Sequence, residues 1–136
     1  MRILPIIARL KSNCALLNNR AEPAKSLTGL TDDEVKTGLP IAFVYAAKEA
    51  ASPSDLVNAT SQLVPKFFTV VIAAKTASAT VEYMEDVRDQ IKAALVGYVP
   101  IANHDPIEFV GGEIINVTNG VTWWKDTYKT TTYIRG

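Results

Sequence analysis

Apolar residues recur in the first twenty positions of the chain at the spacing of a helix. They follow steps of four, three, four and three: Ile3, Ile7, Leu10, Cys14 and Leu17. This spacing aligns them on one stripe and predicts a helix over about residues 3–18. The polar positions between them are expected to face outward: Arg9, Lys11, Ser12 and Asn13.

A second helical stripe is formed by Met84, Val87, Ile91 and Leu95. Charged residues fill the other positions and are predicted to face water: Glu82, Glu85, Asp86, Arg88, Asp89 and Lys92. Ser78 or Thr80 is a candidate N-cap, and Gly97, followed by Pro100, is expected to end this helix in the left-handed conformation.

Two apolar runs predict strands. "PIAFVYAA" begins at Pro40, and "FFTVVIAA", from Phe67, is apolar on both faces, which is typical of a buried central strand. The stretch "LVNATSQLV" between them fits either a partner strand or an irregular arm. Before these strands, "TDDEVKTG" has capping-box spacing at Thr31 and Glu34, which is typical of the start of a short helix. Carboxylates in a first helical turn interact favourably with the helix dipole, so we prefer this explanation to a metal site.

The C-terminal segment predicts a β-hairpin, because Asn119 and Gly120 accept the positive φ angles of a type I′ turn. A strict two-residue turn would place Glu113 opposite Asp126. Facing like charges are unfavourable, so we expect a bulge at Gly111 and Gly112 or a longer turn.

Residues of the last strand alternate between two faces, and each face carries both apolar and polar side chains. The even positions are Trp124, Asp126, Tyr128, Thr130, Thr132 and Ile134, and the odd ones include Trp123, Lys125, Lys129, Tyr133 and Arg135. The two tryptophans point to opposite faces, so one is expected in the core and the other on a surface covered on assembly. We expect this strand, about a dozen residues long, to lie at the sheet edge, where a neighbouring subunit would cover its unpaired backbone.

Composition narrows the classes of function. A chain of 136 residues has the usual size of one domain, so we expect a single domain over residues 1–136. Its 14 basic residues balance 14 acidic ones, whereas a dedicated nucleic-acid-binding protein carries an excess of basic residues. The first thirty residues contain more basic than acidic side chains, and we interpret this excess as a solvent-exposed face. A single cysteine excludes an internal disulfide, and the sequence predicts no secretion signal and no membrane span.

Candidate chemistry is sparse. The one histidine, His104, lies in "ANHDPIE", and a Cys14–His104 dyad is disfavoured because Cys14 lies on the buried stripe. The carboxylates of Asp105, Glu108 and Asp126 could act as acid and base only if they converged. No phosphate loop, dinucleotide fingerprint or zinc motif is present in the sequence, so we assign no catalytic, cofactor or metal residues and expect no enzyme.

The order of elements resembles the small tail terminator, or tail-completion, proteins of long-tailed bacteriophages. The resemblance runs from about Leu39 to the end, through "LPIAFVYAAKEA", "QLVPKFFTVVIAAKTASAT", "ALVGYVP" and "WWKDTYKTTTYIR". It implies an α+β fold, with helices packed on one face of a mixed or antiparallel sheet and a C-terminal β-hairpin.

The same resemblance implies a virion structural protein at the tail–head junction, assembled in the host cytoplasm. Its copies would form a hexameric ring that caps the tail tube protein, stops polymerisation and docks the head-to-tail connector protein. The ring would need no cofactor, and DNA would pass through its lumen without specific binding. Trp123, Tyr133 and Arg135 are the candidate contacts between subunits or with the tube.

Two alternatives remain open at this point. One is a small cytosolic α+β domain that binds or converts a ligand in a cleft near His104, Asp105 and Trp124. The other is a different phage neck or tail subunit with the same fold.

Overall fold

A computed structural model describes residues 2–24, 39–49, 61–75, 83–102, 104–118 and 120–135. Its elements, in chain order, are helix α1 (Leu4–Asn13), a 3-10 turn (Ala15–Leu17), strands β1 (Ala21–Pro23), β2 (Ile41–Glu49) and β3 (Ser61–Lys75), helix α2 (Tyr83–Leu95), and strands β4 (Glu108–Thr118) and β5 (Val121–Arg135). The predicted cap at Ser78 or Thr80, the segment around Thr31 and Glu34, and residues 56–60 lie outside the described residues.

The five strands form one mixed sheet in the order β1-β2-β3-β5-β4. Strand β1 runs parallel to β2, and every other pairing is antiparallel. The apolar run from Phe67 therefore lies in the central strand, as predicted, and the strand begins earlier, at Ser61. The α+β class and the C-terminal hairpin are confirmed.

Both helices pack on one face of this sheet. The inward stripes are buried as predicted, through Ile7 and Leu10 of α1 and Val87, Ile91 and Leu95 of α2. They meet alternate sheet residues in one core: Ala42, Val44, Phe68, Val70, Ile72 and Tyr128. Burying each large side chain contributes about 1.5–3 kcal/mol, so this layer holds the helices to the sheet.

Helix α1 is shorter than the apolar spacing predicts, because it ends at Asn13. The backbone leaves the helical region at Cys14 and continues as the 3-10 turn. Leaving the helix frees the backbone N–H of Leu16 to donate to the side-chain oxygen of Gln90 on α2, at 3.0 Å. The outward prediction for Arg9 is also wrong, since Arg9 is half-buried and donates to the carbonyl of Ala94.

The prediction that Arg88 faces water is wrong. Arg88 is buried on α2, where it contacts the carboxylate of Asp126 on β5. The end of the helix follows the prediction, because Gly97 has a φ of +84°, in the left-handed region.

Strand β5 does not lie at the edge of the sheet, contrary to the prediction. It pairs with β3 along fifteen residues, from Ser61 opposite Arg135 to Lys75 opposite Val121, and with β4 on its other side. This long-range pairing makes β4 the edge strand.

The hairpin turn joins Thr118 to Val121, as predicted, and Gly120 has a φ of +76°. The bulge lies elsewhere than expected, because the register shifts between Ile114 and Asn116 and again between Phe109 and Gly111. The first shift moves Glu113 from Asp126 to a position opposite Lys125. The like-charge pairing is thus avoided by a bulge nearer the turn.

Candidate functional site

The edge strand β4 exposes an unusual amount of apolar surface. Five of its eleven residues are large apolar side chains between 38 and 53% exposed: Phe109, Val110, Ile114, Ile115 and Val117. Within the described residues no strand pairs along the outer side of β4. We call β4 with these side chains the β4 margin. Long exposed apolar edges are normally covered, so the β4 margin is a candidate interface.

The two faces of β4 differ in character. Residues directly opposite one another in antiparallel strands share a face, which places Phe109 and Ile114 on the helix side, with their partners Tyr128 and Trp124. On the other face, Glu113 contacts Lys125 at 2.9 Å and Glu108 contacts Lys129 at 3.3 Å. The β4 margin is therefore apolar towards the helices and charged away from them.

Aromatic contacts attach the start of the β4 margin to the core. The Phe109 ring packs edge-on against Tyr128, with centroids 5.5 Å apart, and Tyr128 stacks on Phe68 at 5.4 Å. The ammonium of Lys92 lies 4.4 Å from the Phe109 ring centroid. These contacts explain why Phe109 is the least exposed of the five.

A buried ion pair lies beneath the middle of β4. The Arg88 guanidinium donates Nη2 to Asp126 Oδ1 at 2.8 Å and Nε to Oδ2 at 3.0 Å, and Asp126 is fully buried. Burial alone would lower the pKa of Arg88, but the hydrogen bond and charge of Asp126 raise it above its ordinary value. The two parallel hydrogen bonds fix the geometry of the pair.

Trp124 completes this cluster. Its indole Nε1 donates to Asp126 Oδ1 at 3.0 Å, and its ring lies 4.1 Å from the guanidinium carbon of Arg88. Trp124 is thus held by a hydrogen bond and a cation–π contact. It supports Ile114, the residue opposite it on β4.

Gly112 allows β4 to lie over the ion pair. A Cβ atom at this position would overlap Asp126 Oδ1 and come within 2.9 Å of both Arg88 Nη2 and Trp124 Nε1. At the neighbouring Gly111 a Cβ atom would meet nothing within 4 Å. Only one of the two glycines is therefore required by close packing.

The predicted interface residues lie at two distant places on β5. Trp123 is half-buried on the face opposite the helices, where it stacks with Phe43 at 6.4 Å and packs against Ala73 and Val121. The backbones of Tyr133 and Arg135 pair with Leu63 and Ser61, and their side chains lie outside the described residues. Ten strand residues span about 33 Å, so Trp123 and Tyr133 do not share one compact site.

The residues of the alternative ligand cleft do not converge. His104 bridges to Thr132, eight positions along β5 from Trp124, which corresponds to about 26 Å. Trp124 is engaged with Arg88 and Asp126 instead. The cleft near His104, Asp105 and Trp124 is therefore not formed.

The other candidate catalytic residues do not come together either. Asp126 pairs with Arg88 and Glu108 with Lys129, so the acid–base set with Asp105 does not assemble. Cys14 is buried beside α2, with Sγ 3.5 Å from the carbonyl of Gln90, and burial raises the pKa of its thiol to about 11. Cys14 is a core residue, as predicted.

The described ranges contain neither a cluster of metal-ligating residues nor a helix suited to span a membrane. There, no group of three or more His, Cys, Asp or Glu residues is placed to hold a metal ion. Neither of the helices described above has the length and apolar composition of a membrane-spanning segment.

Sequence reasoning missed the β4 margin and the Arg88–Asp126 pair. The signal for the margin was present in "FVGGEIINV", whose apolar residues exceed what one buried face of a strand needs. The signal for the ion pair was Asp126, the one carboxylate among the even positions of β5.

Comparison with known proteins identifies a matching family and a similar fold. The family described as Phage tail terminator protein matches residues 2–136. The fold is similar to that of a chain in the virion of a native gene transfer agent particle, with a TM-score of 0.61, 10% sequence identity, and coverage of 96% of this chain and 95% of that chain. No curated protein sequence matches significantly.

Proposed function

The chain belongs to the phage tail terminator protein family, as its sequence resemblance predicts, and from this premise we propose that its copies form a ring that caps the tail tube. The membership makes it a structural protein of the phage tail. In the proposed role the ring stops tube polymerisation and presents a docking surface to the head-to-tail connector.

The observation that carries this proposal is the β4 margin. An eleven-residue edge strand with five large apolar side chains, each 38–53% exposed, is costly to leave in water. Burial in an assembly removes that cost. A ring of identical subunits supplies the cover without any other protein, because each copy can cover the next.

Geometry explains how such a ring would end a polymer. A closed ring is built from heterologous contacts, in which two different patches of neighbouring copies meet. If one face of the ring repeats the contact of the tube protein and the other face does not, growth stops at the ring. We place this ring, a hexamer by family resemblance, at the tail–head junction of a virion assembled in the host cytoplasm.

The charge of the chain fits a passage for DNA. Fourteen basic residues balance fourteen acidic ones, so the protein as a whole has no excess positive charge with which to hold phosphates. We propose that DNA crosses the lumen of the ring without specific binding. Trp123, Tyr133 and Arg135 are proposed as contacts with the tube protein or between subunits.

The test is tail length in cells infected by a phage that lacks this protein. We expect overlong tails without heads, and normal tails when the wild-type chain is supplied in trans. Negative-stain electron microscopy measures the length distribution. The Ala93→Asp variant, altered on the exposed outer side of α2, serves as a control and should restore normal length. Tails of normal length in the complete absence of the protein would contradict the proposed function.

A further inference from the structure

The apolar pattern of β4 does not by itself fix how this strand pairs with β5. Its apolar residues occur in adjacent pairs, Phe109 with Val110 and Ile114 with Ile115. A slip of one residue therefore still leaves apolar side chains on both faces of the strand. Glycine-rich strands also specify their register weakly, and two glycines lie between these pairs. Some feature other than alternation must select the observed register.

Two registers of the hairpin differ by one residue. A hairpin without bulges would place Glu113 opposite Asp126. In the observed register the bulge at Ile115 places Gly112 opposite Asp126 instead. A bulge leaves one residue unpaired and disrupts the ladder locally, so a specific contact is needed to favour the bulged register.

The surroundings of Asp126 accept the observed register and exclude the bulge-free one. The Asp126 carboxylate is fully buried, and a Cβ atom at Gly112 would overlap it. Only a residue without a side chain therefore fits over this carboxylate. Glu113 in that place would meet the same steric overlap and would bring a second carboxylate against the first.

Arg88 and Trp124 hold the Asp126 carboxylate in place. Arg88 donates to it through Nη2 at 2.8 Å and Nε at 3.0 Å, and the indole Nε1 of Trp124 donates at 3.0 Å. The carboxylate cannot turn aside to admit a side chain without breaking these charge-assisted hydrogen bonds. A buried ion pair adds little net stability compared with apolar residues of the same size. Its fixed geometry is the property that acts on β4.

We propose that Arg88, Asp126, Trp124 and Gly112 form a register lock. These four residues select the register of β4 and thereby decide which side chains the β4 margin presents for assembly. The inference rests on the proposed function, in which another subunit covers that margin.

The register determines which residues lie on each face of the β4 margin. Ile114 lies opposite Trp124 on the helix side, and in the bulge-free register it would lie opposite Lys125 on the other face. Glu113 would move in the reverse direction, from the charged face to the helix side. Without the lock, the same residues would therefore form a different surface.

Exchanging two adjacent residues tests the lock. The exchange variant carries Gly112→Glu and Glu113→Gly, so its composition equals that of the wild type. Nuclear Overhauser effects between backbone protons show which β4 position lies opposite Asp126. We expect position 112 in the wild type and position 113 in the exchange variant, because glycine then lies over the carboxylate in the register without a bulge at Ile115. The control, Gly111→Glu, adds a glutamate where a Cβ atom has open space and should leave position 112 opposite Asp126.

A second variant is used if circular dichroism shows that the exchange variant does not fold. Arg88→Met combined with Asp126→Leu replaces the ion pair by apolar side chains. We expect its urea midpoint to be no lower than that of the wild type. Since the lock is absent, positions 112 and 113 should both give contacts with position 126.

In infected cells we expect overlong tails from the exchange variant, because its β4 margin presents a different face. The inference is overturned if position 112 stays opposite position 126 in the folded exchange variant, or is the only one opposite it in the apolar variant. It is also overturned if the exchange variant changes register and still gives tails of normal length. A wild-type chain that fails to restore tail length would instead refute the proposed function, and the register measurement would still decide whether the lock exists.

Discussion

The side chain that does most to shape the β4 margin is Asp126, which lies beneath that strand and not in it. Its carboxylate accepts hydrogen bonds from Arg88 and from Trp124, and it approaches Gly112 closely enough to exclude any side chain there. Removing two charges from water is costly, so such a pair is weak evidence for stability. Its geometry, however, fixes where β4 and Trp124 can lie.

Replacing Asp126 by asparagine should strongly destabilise the fold. The variant leaves the Arg88 guanidinium buried without its counter-charge, which costs roughly 3–5 kcal/mol in the free energy of unfolding. Urea denaturation measures the loss. The control is Glu108→Gln, which breaks an exposed pair with Lys129 and should cost less than about 1 kcal/mol. Similar small losses in the two variants would refute the structural role assigned to Asp126.

His104 gives the fold a predictable pH dependence. Burial, and then the positive charge of Lys66, lower the pKa of His104 below 6.5, although Asp105 acts in the opposite direction. The unfolded chain therefore binds more protons than the folded one as pH falls through 6.5, so this group removes stability on acidification. We expect the melting temperature of His104→Gln to fall less than that of the wild type between about pH 7 and about pH 5. Parallel melting curves across that range would show that His104 is not the group responsible.

At the scale of elements, the sequence was sufficient for local structure and insufficient for long-range pairing. The helical stripes, the central strand from Phe67 and the turn at Gly120 depend on neighbours in sequence, and all were predictable. The position of the sheet edge was not predictable, because it depends on β5 pairing with β3, and the paired residues lie between 46 (Lys75 and Val121) and 74 (Ser61 and Arg135) positions apart in the sequence. The burial of Arg88 depends on the same arrangement, since a charged side chain in a helix is taken to face water until its partner is known.

The candidate site could not be predicted for the same reason, since it too depends on long-range strand pairing. Trp123 and Tyr133 were chosen because large aromatic residues in a mixed strand suggest an interface, whereas the exposed apolar surface of β4 emerges only when the sheet order is known. A bulge was predicted at Gly111 and Gly112, but the two bulges lie at Val110 and Ile115. A bulge changes the register of every residue beyond it, so it cannot be located from alternation alone.

The two adjacent glycines of β4 should differ sharply on substitution. Gly112→Ala places a methyl group against the buried ion pair and should lower the free energy of unfolding by about 1–3 kcal/mol. Gly111→Ala has open space and should be neutral, or stabilise by up to about 1 kcal/mol through the unfolded state. Chemical denaturation of both variants measures the difference. Equal effects would contradict the close packing of β4 over Asp126.

For the whole molecule, the organising feature is a sheet whose apolar edge strand, β4, has no partner along its outer side within the described residues. The β4 margin stands at one end of the strand order, and both described helices pack on one face of the sheet. In the proposed ring, burial of this margin against another subunit lowers the free energy of each protomer.

The predicted contacts on β5 can be tested separately from the β4 margin. In infected cells, Trp123→Ala combined with Tyr133→Ala should leave a folded protomer, weaken assembly and lengthen the tails. Trp123 stacks on Phe43 within the chain, so a melting curve must first show that the variant folds. Normal tail length from a folded double variant would remove these two residues from the assembly surface.

Electron cryomicroscopy of the head-proximal end of purified tails tests the central claim most directly. We expect a closed ring of this chain on the last layer of the tube, with the apolar side chains of each β4 margin buried against the neighbouring copy. A tail end that lacks this chain, or a ring in which the β4 margins remain open to solvent, would contradict it.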